Sequence, residues 1–255
     1  MTRIALITGA ASGLGLATAR RLAEDGLQIA VADLRLDAAR DAAASLGAGH
    51  IGLEVDVGQE ASVRAMFDAA ENQLGPVAVL GCFAGILSIA PQPGRLPLVD
   101  ISVDEWDRVM AINGRGAFLC MREMLRRRAS GPRVDHGRIV SVSSLAGQIG
   151  GLQSGAAYSA SKGAVLSLTK VAAREAAPLG ITVNAIAPGP IDTPMLRRTL
   201  PEGSGDQKYA GLSQVPLGRV GAPEEIAAAV SFLVSPGGAF VTGATIDVNG
   251  GLSMR

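Results

Sequence analysis

Short, continuously apolar runs alternate with alanine-rich segments along the whole 255-residue chain. A strand that is apolar on consecutive residues is covered on both faces, which is the condition of a strand in a parallel sheet. Seven strand-like runs are present, most of them continuously apolar: 3–9, 27–33, 50–57, 77–85, 137–144, 180–189 and 243–251. Helical segments separate them at 13–26, 36–47, 60–75, 102–128, 156–178 and 222–235. Gly26, Gly47 and Gly75 close the first three, Pro223 sits in the first turn of the last, and a bend is expected near Gly114 and Gly116. Strands joined through helices require right-handed crossovers, so the expected fold is α/β. It is a single doubly wound Rossmann domain over 1–255, a seven-stranded parallel sheet flanked by helices. Two stretches fit no element: the Pro-rich 87–100, and 190–216. Long loops in compact domains usually cover sites, so 190–216 is expected to be a substrate lid.

Charge excludes some partners. Lys plus Arg and Asp plus Glu number 23 each, so no global field draws nucleic acid or an anionic membrane. The most apolar stretch, 77–90, is shorter than the ~20 residues of a membrane span. The N-terminus lacks a signal-peptide pattern. Cys82 and Cys120 lie in apolar surroundings and have no metal-ligand spacing. A cytoplasmic protein with two buried thiols is expected. His50 and His136 fall at element edges and are expected on the surface.

After the first strand comes TGAASGLG, with Gly9, Gly13 and Gly15. Glycines between a first strand and a first helix let backbone approach a pyrophosphate at the helix N-terminus. Ser12 and Leu14 belong to the same turn. Asp33 ends the second strand, where a carboxylate accepts hydrogen bonds from ribose hydroxyls and repels a 2′-phosphate. Arg35 can swing toward such a phosphate, but a fixed carboxylate favours NAD over NADP. At the third strand end, Asp56 and Val57 either meet the adenine or simply close the strand.

Residues 157–170 read AYSASKGAVLSLTK. Tyr158 and Lys162 are four apart and share one helix face. Free tyrosine has a pKa of ~10. A nearby ammonium, and a positive nicotinamide, lower it and poise the phenol as a general acid/base. By itself this pair is weak evidence, since such spacing arises by chance.

Six blocks occur in order: TGAASGLG, Asp33, Asn113 in AINGRGAF, Ser144 in VSVSSLAG, YSASK, and NAIAPGPIDTPM. In combination, and over essentially the whole chain, they resemble the short-chain dehydrogenase/reductase family. The resemblance implies that Ser144, rather than Ser143, hydrogen-bonds the substrate oxygen, and that Tyr158 transfers the proton. Lys162 would hold the nicotinamide ribose and lower the Tyr158 pKa. Asn113 would distort its helix and hold a water linking Lys162 to solvent. Pro188, Gly189, Ile191 and Thr193 would flank the nicotinamide, and Asn184 would be structural. The family usually has Asn-Ala-Gly after the fourth strand. Here Phe83 precedes Ala84 and Gly85, and it is expected to pack under the neighbouring helix, leaving those two to line the cofactor. The last strand resembles that of tetrameric members, which implies a homotetramer.

Leu145, Ile149, Leu152, Met195 and Leu196, with Gln148, Gln153, Arg197 and Arg198, are the candidate substrate surroundings. A mostly apolar pocket suits a small-molecule secondary alcohol or ketone with a hydrocarbon part. The expected activity is NAD(H)-dependent interconversion of the two. One alternative is reduction of a 3-oxoacyl thioester on a carrier protein, with Arg126, Arg127, Arg128 and Arg133 serving an acidic carrier. Against it stand Asp33, Leu179 at a position usually basic in those reductases, and the expectation that the arginine run is a solvated helix end. A non-catalytic nucleotide sensor is the other, and the presence of Ser144, Tyr158 and Lys162 argues against it.

Overall fold

The computed structural model describes residues 2–88, 96–151, 154–198, 209 and 211–254. Seven parallel strands form one sheet in the order β3-β2-β1-β4-β5-β6-β7. They are β1 Ile4–Thr8, β2 Gln28–Asp33, β3 Ile51–Glu54, β4 Val77–Cys82, β5 Gly137–Val142, β6 Ile181–Pro188 and β7 Thr245–Val248. The sheet reverses direction of growth between β1 and β4, so their C-terminal ends leave a crevice there.

Alternation along the strands sends side chains to two cores. Leu6, Leu80, Ile139 and Val183 point to one face, where they meet Phe67, Met66, Met121 and Met124. Ile7, Ile29, Val79 and Ile186 point to the other, against Leu22, Ile226, Val230 and Leu233. The helices supplying these residues are α3 (Glu60–Leu74) and α5 (Gly116–Ser130) on the first face, and α1 (Gly13–Glu24) and α9 (Pro223–Val234) on the second. The latter face is completed by α2, Leu36–Ser45. Each such aliphatic side chain, fully buried, contributes about 1.5–3 kcal/mol. Gly26, Gly47 and Gly75 follow their helices at φ of 87°, 107° and 102°, a region other residues avoid. Among the described residues no helix is long and apolar enough to cross a membrane.

The segment 102–128 is one long helix distorted where the bend was expected: α4 (Val103–Val109) runs through a π-helical turn over Met110–Arg115, which includes Gly114, into α5. The wide turn lies where Gly116 packs on Val57: a Cβ there would sit 2.7 Å from Val57 Cγ2. Other expectations need correction. The arginine run is not a solvated helix end. Arg127 pairs with Asp68 (2.6 Å), Glu71 (3.2 Å) and Glu123 (2.8 Å), and the buried Arg128 pairs with Glu71, tying α5 to α3. His50 is partly buried rather than on the surface. Its Nδ1 accepts from the Ile29 amide at 3.0 Å, and burial lowers its pKa. His136 is exposed, with φ of 53°. Cys82 and Cys120 are both buried and unbridged.

Candidate active site

Crevice and chemistry share one cavity of about 350 Å³ above the C-terminal strand ends. At one end stand Gly9, Ser12, Gly13, Leu14, Gly15 and Asp33; at the other stand Ser144, Tyr158 and Lys162. The glycine turn is built for close approach. A Cβ on Gly9 would lie 2.7 Å from Ala84 Cα, and one on Gly15 would lie 2.3 Å from the Gly9 carbonyl oxygen. Gly9 and Gly13 have φ of 68° and 55°. The Ser12 side chain makes no cap to α1, so it does not satisfy the helix's first amides. Asp33 accepts from the Ala11 amide at 3.2 Å, which fixes its carboxylate at the cavity edge. Arg35 is exposed and does not line the cavity.

The catalytic end is set by α7, Ala156–Ala176. Its buried face carries Ala157, Ser161, Lys162, Val165 and Thr169, the i, i+4 pattern of a helix seated on a sheet. The small helix α6, Ala146–Ile149, lies so close to α7 that a Cβ on Gly147 would be 2.6 Å from the Lys162 carbonyl carbon. Lys162 is 4% exposed and donates from Nζ to the Val142 carbonyl at 2.8 Å. Nζ also lies 5.7 Å from the Tyr158 ring centre. Burial lowers the Lys162 pKa to about 8.

The Tyr158 pKa runs opposite to expectation. Burial raises it, and the opposing pull comes from a hydrogen bond with Ser144. Lys162 does not bring it down in this geometry, because its own charge is desolvated and turned to Val142. The two serines have different surroundings. Ser143 is buried and donates to the Lys162 carbonyl at 2.8 Å, whereas Ser144 reaches Tyr158.

Asn113 is 1% exposed and does not line the cavity. Its Oδ1 accepts from the Ile86 amide (2.8 Å), and its Nδ2 donates to the Ile86 carbonyl (2.9 Å) and Ser161 Oγ (3.0 Å). It clamps the loop after β4 to α7 from the π-turn. A Cβ on Gly85 would meet Asn113 Oδ1 at 3.3 Å and Lys162 Nζ at 3.4 Å, so that glycine lets the clamp close.

Ala84, Gly85, Pro188, Gly189, Ile191 and Thr193 all line the cavity. Thr193 also caps the short helix α8 (Pro194–Arg197), accepting from the Leu196 amide at 3.2 Å. Asp56 and Val57 do not line it: Asp56 accepts from the Gly58 amide at 2.9 Å, and Val57 is buried under Gly116. Phe83 packs against the core that α1 and α9 share, and it does more than that. Its ring rests over Gly81, where a Cβ would be 3.0 Å from Cε2, and it forms part of the cavity wall beside Ala84 and Gly85.

Of the substrate candidates, Leu145, Ile149, Met195 and Leu196 line the cavity. Gln148 instead donates to Asp247 at 2.6 Å, and Arg197 is paired with Asp192 at 2.6 Å. Arg198 does not line it, and Leu152 and Gln153 lie outside the described residues, as do 199–208 of the lid segment. Sequence reasoning missed Leu87, Ser154, Tyr209 and Leu252 as lining residues. Tyr209 carried a faint signal, being one of only two tyrosines and lying in a long loop. Leu252 carried none.

A parallel doubly wound sheet with a serine, tyrosine and lysine at its crevice defines a nucleotide-dependent oxidoreductase class. A family sequence model described as "Enoyl-(Acyl carrier protein) reductase" matches residues 9–253. The cis-4-hydroxycyclohexanecarboxylate dehydrogenase of Sinomonas cyclohexanicum is 41% identical over 98% of this chain and 96% of its own. The 3-oxoacyl-[acyl-carrier-protein] reductase FabG of Escherichia coli (strain K12) is 37% identical over 99% and 98%. The solved 3-ketoacyl-(acyl-carrier-protein) reductase from Brucella melitensis, complexed with NADH, superposes with a TM-score of 0.85 at 32% identity, covering 99% of this chain and 98% of that one. The chain belongs to the short-chain dehydrogenase/reductase family.

Proposed function

We propose that the protein is an NAD(H)-dependent oxidoreductase that interconverts a secondary alcohol and a ketone. The observation carrying this reading is the single cavity that joins the Gly9–Gly15 turn and Asp33 to Ser144, Tyr158 and Lys162. Gly9 and Gly15 let the turn pack tightly on its own backbone, and Gly13 leaves open space toward Thr193 and Pro194, which fits a dinucleotide's pyrophosphate at the start of α1. Asp33 suits two ribose hydroxyls and opposes a 2′-phosphate, while Arg35 stays outside. When bound, NAD supplies the two-electron acceptor for the carbinol hydride.

In oxidation, Tyr158 Oη as phenolate accepts the hydroxyl proton while the carbonyl forms. Ser144 Oγ donates to the same oxygen and limits the charge it develops. Lys162 would hold the nicotinamide ribose; its Nζ lies 5.7 Å from the Tyr158 ring centre and is positioned by the Val142 carbonyl. Asn113 fixes the loop after β4; its part in carrying the proton away rests on the family resemblance alone. Reduction runs through the same groups in reverse.

The dehydrogenase relative acts, by its name, on a cyclic hydroxy acid, and the apolar wall of Leu87, Leu145, Ile149, Met195 and Leu252 suits a compact ring. Carrier-bound thioesters are disfavoured because Arg127 and Arg128 are spent on ion pairs within the chain. The segment 190–216 acts as the lid of one catalytic domain, and the enzyme works in the cytoplasm as a homotetramer.

The test follows NADH appearance from NAD with a panel of secondary alcohols, cyclic hydroxy acids, steroids and sugars. Tyr158→Phe should cost about 10²–10⁴-fold, the usual worth of a positioned acid/base. Equal turnover in mutant and wild type would remove Tyr158 from the mechanism.

A further inference from the structure

The substrate half of the cavity is lined mainly by hydrocarbon. Leu87, Leu145, Ile149, Met195, Leu196 and Leu252 surround the space beside Tyr158. Apart from Ser144 and Tyr158 themselves, the hydroxyls in that wall among the described residues are those of Ser143, Ser154, Thr193 and Tyr209. Ser143 donates to the Lys162 carbonyl, and Thr193 is spent on Ile191 and the α8 cap. Ser154 is pressed against Gly151, where a Cβ would be 2.1 Å from its Oγ.

Tyr209 differs from these. Its hydroxyl has no partner among the described residues, and burial raises its pKa. Its backbone is anchored: the Tyr209 carbonyl accepts from the Leu212 amide at 2.9 Å, at the start of a 3-10 turn over Leu212–Gln214. Its ring lies against Gly211, where a Cβ would come within 2.8 Å of Cε1 and 3.2 Å of Oη. A phenol is thus held at the apolar wall with its donor unused. The residue is half-buried and its hydroxyl is open to the cavity, and a site that hydrogen-bonds its substrate rejects ligands that cannot accept the bond.

We infer that Tyr209 is a specificity residue: it donates a hydrogen bond to an acceptor oxygen on the substrate, away from the carbinol. The substrate is then a compact, mostly hydrocarbon secondary alcohol that carries one such acceptor. This rests on the dehydrogenase reading above and narrows it.

Two alcohols of near-identical shape separate the effects: 4-carbamoylcyclohexanol, which has the acceptor, and 4-isopropylcyclohexanol, which lacks it. The readout is the ratio of their kcat/KM values with NAD, in wild type, Tyr209→Phe and Gly211→Ala, with NADH binding followed by fluorescence. Wild type should prefer the carbamoyl compound, and Tyr209→Phe should lower the ratio roughly tenfold, the worth of one hydrogen bond. Gly211→Ala keeps the phenol but displaces the ring, so it should lower the ratio in the same direction, and it carries the test if the phenylalanine variant does not fold. A ratio within about twofold of wild type in the folded variants overturns the role of Tyr209 while leaving the dehydrogenase reading standing. Wild type that binds NADH but oxidises neither these alcohols nor any of the wider panel overturns the dehydrogenase reading, and this inference with it.

Discussion

Lys162 joins the chemistry of the site to the stability of the fold. Its side chain is 4% exposed, and burial moves its pKa from 10.5 to about 8. Folding therefore disfavours the ammonium by about 3 kcal/mol relative to the unfolded chain. Below about pH 8 both states hold the proton and that penalty is present in full. Between about 8 and 10.5 the unfolded chain still holds it while the folded chain has lost it, so stability rises with pH across this window. Lys162→Met has no such group. The stability of wild type relative to this variant should therefore rise by about 2.5 kcal/mol from pH 7 to pH 10. For a chain of this size that changes the gap between the two melting temperatures by roughly 5–10 °C. Thermal unfolding of both proteins by circular dichroism, at matched pH and without nucleotide, measures it. A melting gap that stays constant from pH 7 to pH 10 would refute the reasoning, because Lys162 would then carry no desolvated charge.

Two further outcomes are expected. Asp33→Ala should weaken NADH binding by roughly ten- to a hundredfold, the worth of hydrogen bonds to a charged acceptor, and should strengthen NADPH binding; fluorescence titration with both nucleotides reads this, and an unchanged preference would sink the role given to Asp33. The exposed Phe118 and Trp106, near the start of α5 and on α4, and the fully exposed Phe240 before β7 supply apolar surface for subunit contacts. Light scattering at micromolar concentration should give four times the 25.9 kDa chain mass, and a monomer would end the tetramer proposal.

Residues that act through local period or local turn chemistry were legible in the chain itself. Continuous apolar runs announce buried parallel strands because a two-sided strand has no solvent face, and all seven stand where those runs lie. The Gly9–Gly15 turn, Asp33 at a strand end, and Tyr158 with Lys162 one helical turn apart are all specified by short spacing. Tertiary structure decided the rest, because it joins residues that spacing cannot relate. The π-turn at Asn113 depends on Ile86 and Ser161, 27 and 48 positions away. Arg128 became a buried ion-pair partner because Glu71 of α3 faces it, 57 positions distant. Phe83 became a cavity wall because Gly81 beneath it has no side chain. The Tyr158 pKa went up rather than down because burial depth, which no spacing encodes, outweighed the pull of Ser144. Chain period sets which face a residue shares, whereas contact, burial and charge pairing come from packing between elements far apart in the chain.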